Sequence, residues 1–242
     1  MDRHVVALRK RDVPDSRFDP DDLFGQVRRF CAEVRDRHVR ELLLGLLDDP
    51  ELGLAFRVAP AAKTIHHAWA GGLCEHTLSV MQLGWQVCEH YPQLDRDLVT
   101  AGCLLHDIGK AREISPEAGF EYTDEGKLVG HLVLTCQLIR EKASRIPGFP
   151  RDLEWRITHL VASHHGRHEY GSPKEPATFE AVVVHALDEL DTRMSSFAQL
   201  FAAAQAPWTD RKNIYGRQLR VPQAPAEDAR RFEGPGLYRE VK

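Results

Sequence analysis

The chain has 242 residues, 43% of them apolar and 28% charged, proportions that fit a globular fold with a real core and exclude disordered, collagen-like and coiled-coil classes. No run approaches the roughly 18 uncharged apolar residues of a membrane span, and the opening MDRHVVALRKRD lacks the apolar stretch of a signal peptide, so a soluble, cytoplasmic protein with no membrane partner is expected. The net charge of −4 hides a split: residues 41–204 hold fourteen Lys/Arg against twenty-three Asp/Glu, a −9 centre that does not advertise a plain basic groove for nucleic acid, while the two flanks together carry +5.

The pattern predicts helices almost throughout. From Pro20 to Asp49 apolar residues recur at helical spacing (Leu23, Val27, Phe30, Val34, then Leu43, Leu44, Leu47), with Asp19 available as N-cap and Asp49-Pro50 as the stop. A shorter helix is expected over 50–58, broken by Pro60. Over 73–90, Leu73, Val80 and Val87 share a stripe with His76, and a histidine on a buried stripe needs a reason. Residues 95–106 form a compact apolar helix that runs into HDIGK, where Gly109 is the expected stop. Residues 113–126, with Pro116, Gly119 and Gly126 around Phe120 and Tyr122, predict a loop or short hairpin.

Helices then fit 127–145 and 151–163, separated by Pro147-Gly148-Phe149-Pro150, and a Gly/Pro-marked loop covers 166–176. The last long helix, about 177–203, keeps Phe179, Val183, Leu187, Leu190, Met194 and Phe201 in register, and the tail from Pro207 reads as irregular, ending in the linker-like VPQAPAEDA. The expectation is one all-α domain over 20–204, with a connector-like extension at 1–19 and a basic, aromatic tail at 205–242. Five cysteines, odd in number and without a C-x-x-C pair, fit small buried apolar residues in a reducing compartment rather than a disulfide framework.

Eleven of the thirteen histidines fall between positions 66 and 185. His76 lies on an inward helix face, His106 and Asp107 adjoin at the end of the next helix, His131 opens another, His164 and His165 close a fourth, and Asp188 lies within the last. Five consecutive elements each present an imidazole or a carboxylate, the way helical bundles build metal sites from facing helices. His185 and Asp191 lie three residues either side of Asp188 on the same face and remain alternatives to it. His159 and His168 read as ordinary, and His4, His38 and His90 carry no signal.

The order His, His-Asp, His, His-His, Asp, centred on HDIGK, resembles the HD superfamily of metal-dependent phosphohydrolases. More narrowly, KTIHHAWAGGLCEHTLSV, LLHDIGKAREI, YTDEGKLVGH, SHHGRHEYGSPKEPATFEA and VHALDELD are similar to the HD domain of the YhaM-type 3′→5′ exoribonucleases, over about residues 20 to 203. That resemblance implies an all-α HD-domain helical bundle. It implies His76, His106, Asp107 and Asp188 as family metal ligands, and His131, His164 and His165 as holders of a second ion, with Asp107 bridging. Lys110 resembles the lysine of HD-x-G-K that contacts a substrate phosphate, so Asp107 and Lys110 are the expected catalytic pair. YhaM-type enzymes carry an OB-fold ahead of the HD domain; about 20 residues before the first helix are too few for such a barrel, so this grip on RNA is not expected here.

The residue chemistry points the same way. Five neutral imidazoles and two carboxylates bring −2 to a site where two divalent ions bring +4, a +2 focus for phosphate inside an acidic domain. An imidazole-rich set suits manganese first, with iron, cobalt or zinc possible, better than magnesium or calcium. Phosphoester hydrolysis follows, without a nucleophilic serine or cysteine. His66, His67, Arg167, Tyr170 and Lys174 are candidates to line the substrate pocket. The tail WTDRKNIYGRQLR interleaves Trp208 and Tyr215 with Arg211, Lys212, Arg217 and Arg220, a composition suited to single-stranded nucleic acid or to a strap packed on the domain. The preferred substrate is the 3′ end of a short single-stranded RNA or oligonucleotide. The alternatives are a nucleotide or cyclic nucleotide, and a non-catalytic, metal-stabilised adaptor.

Overall fold

A computed structural model describes residues 18–62, 69–115 and 120–222, so His66, His67 and the linker-like piece after Pro222 lie outside the described residues. In chain order the helices are α1 (Pro20–Ala32), α2 (Arg37–Leu47), α3 (Pro50–Val58), α4 (Gly72–His90) and α5 (Arg96–Leu105). The short turn α6 (Lys110–Glu113) leads into β1 (Ile114–Ser115) and β2 (Glu121–Tyr122), an antiparallel pair in which Ile114 faces Tyr122. Then follow α7 (Asp124–Leu128), α8 (His131–Ser144), α9 (Arg151–Ser163), a 3-10 turn at His168–Tyr170, and α10 (Phe179–Ala203). Among the described residues the fold is all-α apart from this hairpin of two-residue strands, which sits in the segment where a loop or short hairpin was expected.

Aspartate starts four of the first five helices. Asp19, Asp36, Asp49 and Asp95 each accept backbone N–H bonds from the first turn that follows, and Pro20 and Pro50 occupy first-turn positions where no N–H is needed. Each such cap is worth about 1 kcal/mol. Asp36 also explains the main departure from the expected helices. The single helix expected over 20–49 is two, because the chain leaves the helical path at Glu33 and restarts on the Asp36 cap. The break is held from outside: Asp97 Oδ2 accepts the backbone N–H of Arg35 at 3.0 Å and of Asp36 at 2.8 Å. Two helices let both apolar stripes, Leu23, Val27 and Phe30 on α1 and Val39, Leu42, Leu43 and Leu46 on α2, reach the interior.

Helix α4 is the centre. Every side chain from Leu73 to Met81 is buried, including Glu75, His76, Thr77 and Ser79, so this stretch has no solvent face. It packs against α1, α3 and α5, while α9 packs against α5 and α8. Glycine permits a close approach: a Cβ on Gly102 would meet Val184 and Leu160, so α5, α9 and the start of α10 touch nearly backbone to side chain.

By contact density the chain divides into two compact units, Met1–Glu189 and Leu190–Lys242. In the second, residues 207–221 form a closed strap. Trp208 and Arg220 pair as an isolated antiparallel bridge, Thr209 N–H donates to the Leu219 carbonyl at 3.0 Å, and Asn213 Nδ2 donates to the Asp210 and Arg217 carbonyls. Phe197 meets Tyr215 edge-on with ring centroids 4.9 Å apart. The basic, aromatic segment is thus ordered around its own hydrogen bonds. Among the described residues no helix is long and apolar enough to cross a membrane.

Substituting Gly102→Ala adds one methyl at a contact with no space for it. The expected result is a loss of about 1–3 kcal/mol in urea unfolding, larger than the roughly 1 kcal/mol of helix propensity gained, and recovery of most of it in Gly102→Ala/Val184→Ala. Unchanged stability in the single variant would contradict the packing.

Candidate metal centre

The site is assembled where α5 stops. The last α5 residue is Leu105, so His106 and Asp107 leave the helix with their side chains buried. Gly109, expected as a helix stop, has ordinary right-handed backbone (φ −62°) and does something else. A Cβ there would overlap the His131 carbonyl and Thr135 Oγ1, and its N–H donates to Thr135 Oγ1 at 3.0 Å. Glycine therefore lets the HDIGK turn lie directly on the first turn of α8, which carries His131.

The described residues contain two groups of potential metal ligands whose donor atoms lie within 4.8 Å of one another: His76, His106, Asp107 and Asp188, and His131, His164 and His165. In the first, His76 Nε2 lies 3.1 Å from His106 Nε2 and 3.3 Å from Asp188 Oδ1, and His106 Nε2 lies 3.5 Å from Asp107 Oδ2. The second is joined to the first by the same aspartate. Asp107 Oδ1 faces His131 Nε2 at 3.4 Å and His164 Nε2 at 3.7 Å. One carboxylate thus turns Oδ2 to one group and Oδ1 to the other.

The tautomers follow from what the other ring nitrogens touch. His106 Nδ1 is 3.0 Å from the Cys103 carbonyl, His164 Nδ1 2.8 Å from the Val161 carbonyl, and His165 Nδ1 3.1 Å from the Tyr170 carbonyl. A carbonyl only accepts, so each Nδ1 carries the proton and each Nε2 presents a lone pair. His106 Nε2 then confronts His76 Nε2 across a hydrogen-bond distance inside the protein. Asp107 Oδ1 and His131 Nε2 are buried and without a hydrogen-bond partner. Buried donor atoms converging in this way, two of them unsatisfied, fit a divalent cation.

Protonation favours ligation as well. Burial pushes the His106 imidazole below its usual range against the pull of Asp107 and Asp188, and pushes His164 down to about 3, with His106 adding to the effect. His165 is lowered by burial and by His131. Burial opposes the Asp107 charge, but Lys110, His106, His131 and His164 hold its carboxyl well below the ordinary carboxylate range. Desolvation opposes the Asp188 charge as well, but the hydrogen bond from His76 and the nearby His106 together lower its pKa. Lys110, with Nζ 2.6 Å from Asp107 Oδ2, keeps its proton: burial lowers its pKa but Asp107 raises it further. At neutral pH His106, His164 and His165 are therefore neutral, beside two carboxylates and one ammonium.

The remaining expected residues are placed as follows. His185 is in neither group; its Nδ1 donates to the His164 carbonyl at 2.7 Å, and its ring lies against Gly166. Gly166 has φ +81°, and any side chain there would displace that imidazole, so His185 and Gly166 together hold the turn that carries His164 and His165. Asp191 is likewise in neither group. Arg167 is 65% exposed and paired with Glu169 at 3.2 Å, Tyr170 is 61% exposed and touches the centre through its carbonyl, and Lys174 is exposed with its N–H on the Ala162 carbonyl. His159 accepts the Ala177 N–H and is occupied elsewhere. One residue at the centre had no sequence signal: Glu113, a buried carboxylate beneath His131. In a charged segment such as AREI it looks like any surface glutamate.

The chain belongs to the HD domain family, whose match covers residues 73–193 and therefore all seven of these histidines and aspartates. Among curated proteins it is similar to the 3′-5′ exoribonuclease YhaM of Shouchella clausii, at 36% identity over 176 residues, 73% of this chain and 54% of the relative. The YhaM of Halalkalibacterium halodurans is 35% identical over 195 residues (81% and 59%), and that of Bacillus subtilis 33% identical over 174 residues (72% and 54%). The chain spans somewhat more than half the length of these relatives. No solved structure is a significant match.

The imidazole shifts make a prediction for chelator-treated protein. With the folded His164 pKa near 3 and the unfolded value 6.5, the unfolded chain binds a proton that the folded one refuses between those values. The stability is fully present above pH 6.5 and falls as pH drops towards 3. From pH 6.5 to 5 this group alone costs about 2 kcal/mol, at about 1.4 kcal/mol per unit. Urea unfolding across pH 5–8 checks it, and His164→Asn should flatten the slope; an equal slope in that variant would contradict the assignment.

Proposed function

We propose that the protein is a metal-dependent phosphohydrolase that uses two divalent ions, manganese first, to hydrolyse phosphoester bonds, acting as a 3′→5′ exonuclease on short single-stranded RNA or oligonucleotides in the cytoplasm. The observation that carries this reading is the Asp107 carboxylate, buried between two ligand groups with one oxygen turned to each. His76, His106 and Asp188 would complete the hold on one ion, and His131, His164 and His165 on the other. The names of the YhaM relatives support RNA as the substrate class.

Bound there, the ions would lower the pKa of a water and offset charge building on the phosphoryl oxygens. The chain's own residues prepare that chemistry. Burial keeps His106, His164 and His165 uncharged, so their Nε2 atoms bind without first losing a proton. The carbonyls behind them fix which nitrogen faces inward. Lys110 has its ammonium on Asp107 with 14% of the side chain exposed, so it stands between the buried carboxylate and the outside. In that position it can give its positive charge to an arriving phosphate while keeping its proton. Arg167, Tyr170 and Lys174, exposed on the loop after His165, are proposed to meet the flanking nucleotides, and His66 and His67 to line the same approach.

Chelated protein given Mn²⁺ should regain hydrolysis of a bis-phosphate-ester dye and of short RNA, whereas Asp107→Ala should not respond. Lys110→Ala should lose about 10²–10³-fold in kcat, on the scale of removing one preorganised charge partner, with its metal content unchanged. On a 5′-labelled RNA ladder, stepwise shortening supports exonuclease action. Turnover of mononucleotides with no shortening would replace the RNA reading by a nucleotide one, and full activity in Asp107→Ala would sink the assignment.

A further inference from the structure

Beneath three of the rings the partner of Nδ1 is neutral, and beneath a fourth it is charged. His106, His164 and His165 each point Nδ1 at a neutral main-chain carbonyl. His131 points Nδ1 at a carboxylate: Glu113 Oε2 lies 3.2 Å away and Oε1 3.3 Å away. Oε1 also accepts the His131 backbone N–H at 3.1 Å, at the start of α8, where the N-cap Gly130 offers no side chain. Glu113 is only 8% exposed and is gripped from its other side. Its carbonyl accepts the Thr123 N–H at 2.9 Å, and a Cβ on Gly126 would overlap its backbone and Cγ. The backbone and Cγ are thus held from one side while the carboxylate faces His131 from the other.

The charge count gives a reason for a carboxylate beneath His131. The group of His76, His106, Asp107 and Asp188 contains two acidic ligands, whereas His131, His164 and His165 have only their share of Asp107. We propose that Glu113 is a positioning residue that sets cation affinity in the imidazole-only half of the centre. It fixes the Nδ1–H tautomer of His131, aims Nε2 at Asp107 Oδ1, and through a charge-assisted hydrogen bond makes that imidazole a stronger donor than its neighbours. Partners behind a ligating histidine change metal affinity by about 10–100-fold, and here the effect falls on one ion of the two. The proposal rests on the two-ion reading and adds which ion is lost first.

Glu113→Gln keeps an oxygen for the His131 N–H, so the helix cap survives while the negative charge goes. Chelated wild type and variant are titrated with Mn²⁺ and with Co²⁺ in competition with a chromophoric chelator, and thermal midpoints of the chelated proteins are recorded alongside. Wild type should take up two ions. The variant should bind the first within about twofold of wild type and the second about 10–100-fold more weakly, with a chelated midpoint within a few degrees. Two ions bound with wild-type affinity in the variant would reduce Glu113 to a helix cap and overturn the proposal. One ion in wild type would overturn the two-ion reading, and this inference with it. Should Glu113→Gln fail to fold, ¹⁵N-histidine spectra of chelated wild type at pH 8, with His131 assigned by its loss in His131→Asn, decide the point. The proposal requires the Nδ1–H tautomer, and an Nε2–H ring contradicts it.

Discussion

The carboxylate of Asp107 is the constraint around which the first unit is arranged. A charge with almost no access to water must be met on every side, and each of its neighbours is supplied by a different element. Helix α4 brings His76, the end of α5 brings His106, α8 brings His131 and the end of α9 brings His164, while Lys110 reaches back from α6. Several local features have their reason here. Helix α5 stops one residue before His106, Gly109 allows α8 to approach, and Gly166 with His185 fixes the turn that ends α9. These are costs to helix continuity and backbone freedom that make sense only if the side chains they position have work to do.

The electrostatics resolve an apparent contradiction. The central segment carries −9, a poor match for a phosphate ester, yet burial keeps His106 and His164 neutral and its two central aspartates are held ionised. A centre of that composition has a deficit of positive charge inside and orphaned donor atoms at its middle. In the proposed enzyme the divalent ions make up that deficit, and the phosphate then meets cations rather than the acidic surface. Lys110 sets a fixed positive charge of the chain's own against Asp107 at that point.

Much of this was legible in the residues, for identifiable reasons. Histidine on a buried helical stripe is costly without a partner, so His76 stood out, and the end of the apolar run at HDIGK placed the end of α5 within a residue. Asp19 was legible as the cap of α1, and Asp49-Pro50 as the boundary before α3. The break between α1 and α2 was missed because Asp36 sits among other charges, and only the side chain of Asp97, sixty residues on, shows that the chain must turn there. Gly109 was read as a stop because its packing partner, α8, is remote in sequence. Glu113 was invisible for the same reason: what distinguishes it from a surface glutamate is a contact with His131 across eighteen residues. Asp188 and His185 share a helix face, so spacing does not separate them; in the structure Asp188 meets His76 whereas His185 meets the His164 carbonyl.

The account stands on a single carboxylate serving two ligand groups, and anomalous diffraction from crystals of the manganese-loaded protein, recorded on either side of the manganese absorption edge, tests that most directly. Two peaks are predicted, one enclosed by His76, His106 and Asp188 and the other by His131, His164 and His165, with an oxygen of Asp107 against each. A single peak, or two peaks that do not share Asp107, would contradict it.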